Sequence, residues 1–422
     1  MHKNIKNKLH HFVALLFCLF LLVPVYGCGE QDKNVTEITL IHAWGSIEDD
    51  HVAMRQIYRD FELQNPDIHI NLLSFPTTDE LIRKVEDSMM VGEIPDIMFL
   101  AGEGRDSIYQ YMVNYDYALN LMPYIEQNEE FRSHIAPSNL KYWTTSDNEL
   151  FTISDVLITG GGYWYNKDIF AAAGVEQVPK TWEEFEQVCK QIELWSEQEH
   201  NDVNALQLST EGYLYFANHI LAEKGLSDTK GFMQIEQDKM MDTLNDLQKI
   251  YTYSSSDNGA YNYRDETSLF NDGKLAIYVN GVWGASMISE KLNVEYALLP
   301  SEQQSICCES SGIGYVLGRT GDSAREQASV RFLEYMLSPE VQERILLETQ
   351  QVPANPHIAI ENFQEQMPRF CQAVSTTQNA EIKIEVPRQL WSNQQFQLFK
   401  ENIIPVLSGK TNKQTLIDLL KR

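Results

Sequence analysis

Side chains able to do chemistry fall into two sets in this chain of 422 residues. The first is the carboxylates: 60 Asp and Glu stand against 33 Lys and Arg, a formal net charge of −27. Adjacent acids such as Glu48-Asp49 and Glu183-Glu184 could act as an acid and a base. A glycosidase, however, needs two carboxyls at a set separation across the scissile bond, and neighbours in sequence do not establish that. No G-x-S-x-G elbow or H-E-x-x-H helix occurs, and no CxxC or Cys/His spacing suggests a metal. The second set is aromatic residues beside glycines: Trp44-Gly45, the run Gly160-Gly-Gly-Tyr-Trp-Tyr165, and Asn280-Gly-Val-Trp283. Aromatic faces pack against the C–H faces of sugars, while fixed Asp, Glu or Asn side chains meet their hydroxyl edges. Such a set binds without making or breaking a bond, so no catalytic residue, cofactor or metal is expected.

The elements that must position these groups follow from the periodicity. Residues 37–44 form a β-branched strand ending in Trp44, and Met54, Ile57, Tyr58 and Phe61 recur at helical spacing behind it. Ser46 with Asp49, and Thr77 with Glu80, have the pattern of capping boxes. Strands follow at 69–75 and 95–100, giving a βαβαβ unit with a parallel sheet. Ligands of such sheets bind beyond the carboxyl ends of the strands, which places Trp44, Glu48, Asp49, Gly102 and Glu103 on one rim. Gly102-Glu-Gly104 lacks the Lys-Ser/Thr of a phosphate loop. From Asp155 the pattern restarts: a strand at 156–159, three glycines, then Tyr163-Trp164-Tyr165. Side chains of a strand alternate faces, so Tyr163 and Tyr165 share one face and Trp164 takes the other. Thr181 to Glu184 reads as a capping box opening the next helix. Strands at 274–279, 294–300 and 310–317 come later, and Val352-Pro-Ala354 interrupts the helices near the end.

The rim candidates are therefore Trp44, Glu48, Asp49, Gly102, Glu103, Asp155, Tyr163, Trp164, Tyr213, Asn280 and Trp283. Ser311 and Gly312 join them at a chain crossing. Core packing is the competing role for every aromatic among these, because aromatics make up 11% of the chain.

The N-terminus stands apart. Lys3, Lys6 and Lys8 precede an apolar run at 12–23, and Val25-Tyr-Gly-Cys28 closes it, the three-part plan of a secretory signal. The closing cysteine resembles a bacterial lipobox, which implies cleavage before Cys28 and a lipid on its thiol. An ordinary signal peptide or an N-terminal membrane helix are the alternatives. Residues 28–35 then form a polar tether. No later stretch reaches the ~20 apolar residues that span a bilayer, so the expected location is the outer face of the cytoplasmic membrane, held by lipid. Losing residues 1–27 removes three lysines and no acids, leaving 30 basic against 60 acidic residues. That surface repels nucleic acid. Of the six cysteines, Cys189, Cys307, Cys308 and Cys371 remain for the folded part, and buried free thiols are the default.

Several stretches together resemble the extracellular solute-binding proteins of family 1, the maltose-binding-like group that serves ABC importers. They are ITLIHAWG at 38–45, NPDI at 65–68, GEIPDIMF at 92–99 and ALNLMPYI at 118–125. YWYNKDIFAAAGVEQVPKTWEEF at 163–185, DGKLAIYVNGVWGAS at 272–286, ASVRFLEYMLSPEVQE at 328–343 and VPANP at 352–356 complete the series. The resemblance implies a two-lobe, type II binding-protein fold, each lobe a mostly parallel α/β sheet flanked by helices and the two joined by a hinge. It places residues 36–146 with 310–358 in the first lobe and 147–308 with 360–422 in the second. It further implies a monomer that captures a solute, a carbohydrate on the aromatic content, and delivers it to the transmembrane subunits of an ABC permease. A sensor subunit for a two-component system, a binder of a non-sugar such as a polyamine, and a surface glycoside hydrolase are the competing readings.

Overall fold

The strand β1, Thr36–His42, lies between β2, Ile68–Ser74, and β3, Ile97–Phe99, parallel to both. The connecting helices Asp49–Gln64 and Thr78–Met90 complete the expected βαβαβ unit. This is a computed structural model describing residues 35–100, 102, 108–226, 234–254 and 263–421; Cys28 and Glu103 lie outside the described residues.

The first sheet is completed by two strands from later crossings, β4, Thr152–Ile153, and β11, Tyr315–Leu317, in the order β2-β1-β3-β11-β4. A second sheet holds β6, Gly162–Asn166, β7, Asn204–Leu206, β8, Leu275–Val279, and β9, Val294–Leu298, in the order β7-β8-β6-β9. Between these two runs a third sheet, formed by β5, Val156–Gly160, β10, Ile306–Ser310, β12, Val352–Pro353, and β13, Ile382–Ile384, in the order β12-β5-β10-β13.

The sheets are mixed, which corrects the expectation of mostly parallel ones. β11 begins beside the end of β3, with Tyr315 opposite Phe99, so it must run antiparallel. β6 runs antiparallel to both its neighbours, and only β7 with β8 is parallel in that sheet. The parallel expectation holds where helices connect successive strands, and fails where the chain enters a sheet from the hinge.

Hydrophobic side chains cluster accordingly. One core gathers residues from 38–156 and 313–354. Two others gather mostly residues outside those ranges, Tyr163, Phe185 and Phe216 among them in one, and Trp164, Tyr278 and Tyr296 with Leu346 and Val352 in the other. Local signals hold at several helix starts. Thr181 and Glu184 form the full capping box, Thr77 accepts from the Glu80 amide, and Ser338 caps a helix with Pro339 in its first turn. Ser46 does not cap. The N-cap is Glu48, and the Ser46 hydroxyl instead bonds His51 Nδ1 at 2.7 Å.

The triple glycine is a steric requirement. Gly161 has φ +82°, and a Cβ there would lie 2.7 Å from the Cys308 amide nitrogen. A Cβ on Gly162 would lie 2.2 Å from the Ala297 carbonyl oxygen. The chain turns here from β5 into β6, between two strands that leave no room for a side chain.

The crossings are tied to one another. Gln342, fully buried, donates to the Asp155 and Met336 carbonyls at 2.8 Å each and accepts from the Ala354 and Asn355 amides at 2.9 and 3.0 Å. The Ser154 hydroxyl donates to the Ser311 carbonyl, while Asn139 exchanges two bonds with the Ser154 backbone. Residues 154–155, 311 and 354–355, one stretch from each crossing, are thus held together.

Candidate ligand-binding cleft

At the carboxyl ends of β1 and β3 stands an aromatic cage. The Trp44 ring lies 5.3 Å from Phe99 and edge-on to His51 at 5.0 Å. Tyr58, from the first helix, hydrogen-bonds the Tyr315 hydroxyl at 2.7 Å. The Trp44 indole N–H points at the Tyr58 hydroxyl without completing a hydrogen bond. Arg55 anchors this turn by donating to the Trp44 and Ser46 carbonyls. His42, beneath it, is sealed from water, and burial drops its pKa to about 3, so it stays neutral.

Asp155 borders the cage. Its side chain is 1% exposed, and its carboxyl oxygens make no hydrogen bond of full geometry, the Tyr315 hydroxyl and the Asp155 and Val156 amides being the donors that face it. Burial raises its pKa to about 6, and the nearby Tyr315 hydroxyl only partly opposes this. The two Asp155 oxygens and the Trp44 N–H, each with only imperfect hydrogen-bond geometry, and Glu48 Oε2 stand on this side of the molecule. Buried polar groups are normally matched, so these are places where a polar ligand could supply what the protein does not.

Side chains from the far lobe reach across. Arg264 Nε pairs with Glu48 Oε1 at 3.0 Å. Gln389 Oε1 accepts from the Tyr142 hydroxyl at 2.9 Å and from the Ser310 hydroxyl, while its amide donates to the Gly102 carbonyl at 3.2 Å. A Cβ on Gly312 would lie 1.5 Å from Gln389 Nε2, so glycine there is what admits the amide. Gly102 itself has φ +87°.

Trp283 of the second lobe lies on glycine backbone. A Cβ on Gly281 would lie 2.0 Å from its ring and one on Gly160 3.7 Å, so one face beds on two glycine backbones. The residue stays half-buried. Asn280 holds the turn by accepting from the Gly281 amide at 2.8 Å and donating to the Tyr278 hydroxyl at 2.5 Å. Its polar atoms serve the turn, and Trp283 gains its pose from them.

The other candidates divide. Tyr163, Trp164 and Tyr213 are each 0% exposed within the cores of the second lobe, which corrects their placement on the rim. β6 is a central strand with packed side chains on both faces, so alternation buries Tyr163 and Trp164 alike. The Trp164 indole donates to the Gly281 carbonyl at 3.0 Å, and the Tyr213 hydroxyl to Ser254 at 3.1 Å. Asp49 is exposed in the first turn of its helix. Ser311 is buried, its carbonyl taken by Ser154. Of the acid pairs, Glu184 is spent on the backbone amides of Lys180 and Thr181. Tyr142, Arg264 and Gln389 escaped the sequence because each sits in an ordinary helical pattern and reaches its partner only through tertiary contact, as do Tyr58 and Tyr315, which are buried beneath Trp44. Among the described residues, no group of three or more His, Cys, Asp or Glu could hold a metal ion, and no helix is long and apolar enough to cross a membrane.

Two α/β lobes joined by a hinge, with side chains bridging the gap between them, define the two-lobe periplasmic binding-protein fold. The chain belongs to the bacterial extracellular solute-binding protein family, whose model matches residues 56–368. A solved Streptococcus pneumoniae solute-binding protein in complex with the blood group A-trisaccharide superposes with TM-score 0.76 and 22% identity, over 91% of this chain and 98% of that one. A chitin oligosaccharide binding protein superposes with TM-score 0.78 and 18% identity, over 92% and 98%. Among curated relatives, a "Multiple sugar-binding protein" of Streptococcus mutans is 22% identical over 253 residues, 57% of this chain and 56% of the relative. The chain spans about half the length of the curated relatives it matches.

Proposed function

We propose that this protein captures a carbohydrate between its lobes and hands it unchanged to an ABC permease. The observation that supports the reading is the set of polar groups without full hydrogen bonds on the Trp44–Asp155 side, to which the half-buried, glycine-bedded ring of Trp283 would add a flat apolar face. A flat ring and fixed acceptors and donors are what a sugar's C–H face and hydroxyls require. Similar proteins named for multiple sugars and chitin oligosaccharides support the ligand class. Trp44, Glu48, Asp155 and Trp283 are the contacts we assign, with Gly102 and Gly312 shaping the gap. Asp49, Glu103 and Ser311 stay secondary candidates.

We assign 36–146 with 310–358 to one lobe and 147–308 with 360–422 to the other; most of the first hydrophobic core draws on the former set, while Leu150 to Val156 join it and Leu346 and Val352 pack with Trp164 and Tyr278. Lipidation at Cys28, a tether over 28–35 and a monomeric state fit a protein that works beside a membrane permease. The spent acid Glu184 and the family's binding role favour capture over catalysis.

The test is calorimetry of the full chain with raffinose, maltose and chitin oligosaccharides. At least one should bind and compact the protein in small-angle scattering, with no turnover. Trp283→Ala should weaken it about ten- to a hundredfold, the worth of a buried aromatic stack. A saccharide bound equally well by that variant would exclude Trp283 from the site, and hydrolysis of the bound saccharide would overturn capture without chemistry.

A further inference from the structure

A cavity of about 720 Å³ lies on the second lobe, lined by Trp182, Glu183, Glu186, Glu223 and residues 301–304. None of the groups assigned to the interlobe cleft lines it. Its size falls within the range of small-molecule sites, about 300–1,000 Å³.

The walls are fixed by bonds that converge on Trp182. Its indole N–H donates to Glu223 Oε2 at 2.8 Å, and its backbone amide to Glu302 Oε1 at 3.2 Å. The Glu302 amide in turn donates to Glu223 Oε1 at 2.9 Å, and the Ser301 amide to the Lys180 carbonyl at 3.1 Å. His219 stands edge-on to the Trp182 ring at 5.8 Å and bonds the Pro300 carbonyl through Nε2 at 2.8 Å. Burial lowers its pKa to about 4, so it remains a neutral donor that pins the loop. Trp182 itself stays half-buried at the cavity.

The charge of the lining is one-sided. Both lysines present, Lys224 and Lys249, are paired with the same partner, Asp246, at 3.4 and 3.2 Å. With that carboxylate counted, the cavity keeps a surplus of three negative charges. Among the described residues, Glu183 and Glu186 pair with no Lys, Arg or His, Glu183 accepting only from Gln187 Nε2 at 3.4 Å, and no convergent metal-ligand group exists. An indole plate edged by carboxylates that carry no cation attracts an organic cation, through ring quadrupole and charge together.

We propose that this cavity is a second binding site, for a small organic amine, separate from the interlobe cleft. Glu183 and Glu186 meet the ammonium groups, and Trp182 carries the aliphatic segment.

The experiment titrates the full chain with 1,4-diaminobutane, with 1,4-butanediol as the neutral match, by calorimetry and by the indole ¹⁵N–H signal of Trp182. The diamine should bind, shift that signal, and weaken severalfold between about 20 and about 200 mM salt, as partly exposed charges do. Butanediol should do neither. The double variant E183Q/E186Q should lose about tenfold or more in diamine affinity while keeping its thermal midpoint and its saccharide affinity. Trp182→Phe should retain diamine binding where Trp182→Ala weakens it. No heat and no signal shift up to about 10 mM diamine, the weakest useful range, would overturn the proposal. So would equal binding of butanediol, or diamine binding that Trp283→Ala removes and E183Q/E186Q does not. Saccharide capture is measured separately, so either reading can fail without the other.

Discussion

On the first-lobe side of the cleft, Trp44 is 9% exposed and Phe99, Tyr58 and Tyr315 are 2% or less, each locked by a ring or hydroxyl neighbour. On the second-lobe side, Trp283 is half-buried on a glycine bed and Arg264 leaves 47% of its side chain exposed. One face is set before a ligand arrives; the other reaches across. Preorganised groups bind with little ordering cost, whereas long exposed side chains spend rotamer freedom when they close. If saccharide binds between these faces as proposed, the first would set selectivity and the second would move on closure.

The strongest way to break that comparison is to loosen the joint both faces share. Gln342→Ala removes four hydrogen bonds to backbone groups, three at the crossings and one at the Met336 carbonyl. Leaving buried backbone groups unmatched should cost about 3 kcal/mol or more in denaturant unfolding. A loss under about 1 kcal/mol would mean the crossings hold without it.

Asp155 sharpens the claim that the first face is rigid and poorly solvated. Its folded pKa of about 6 lies above the ordinary 3.8. Between those values the folded state keeps a proton that the unfolded state has released. Stability therefore falls as pH rises through that window, and the penalty is complete above it. Asp155→Asn should raise stability by up to about 3 kcal/mol near pH 8 and change little near pH 4. A gain that does not vary with pH would trace to something other than the carboxyl. Burial also lifts Glu385 to about 7 and Glu266 to about 8, so unmodified protein should itself lose stability from mild acid to mild base.

The smallest effect is expected on the reaching face. Glu48→Gln breaks the pair with Arg264, but both side chains are more than a third exposed, so the stability change should stay below about 1 kcal/mol. The readout is shape: a larger radius of gyration in the ligand-free state, erased by saturating saccharide. An unchanged radius would show that this pair does not hold the lobes together.

Much of this was legible in the residues themselves. The β-branched run at 38–41 and the caps Thr77 and Thr181 are local signals that act over one turn or strand, and they hold. What escaped is long-range. Trp164 and Trp283 both neighbour glycines, yet one is core and the other half-exposed, because β6 pairs on both sides, Trp164 with Tyr278 and Tyr296. Tyr58 meets Tyr315 across 257 positions, which no local pattern encodes. The short strand Ile306–Ser310 carries two cysteines and little periodicity, so the sheet between the lobes had no signature.

Gln342 has one further consequence. Because its amide clasps two crossings while Ser154 clasps the third, the three connections behave as a single pivot instead of three independent strings. Sliding and torsion of one lobe against the other would tear these bonds, whereas a bend about them strains few. Small angular changes at that point are magnified with distance from it. The parts of the cleft farthest from the pivot therefore travel most, and the cage beside Asp155 travels least.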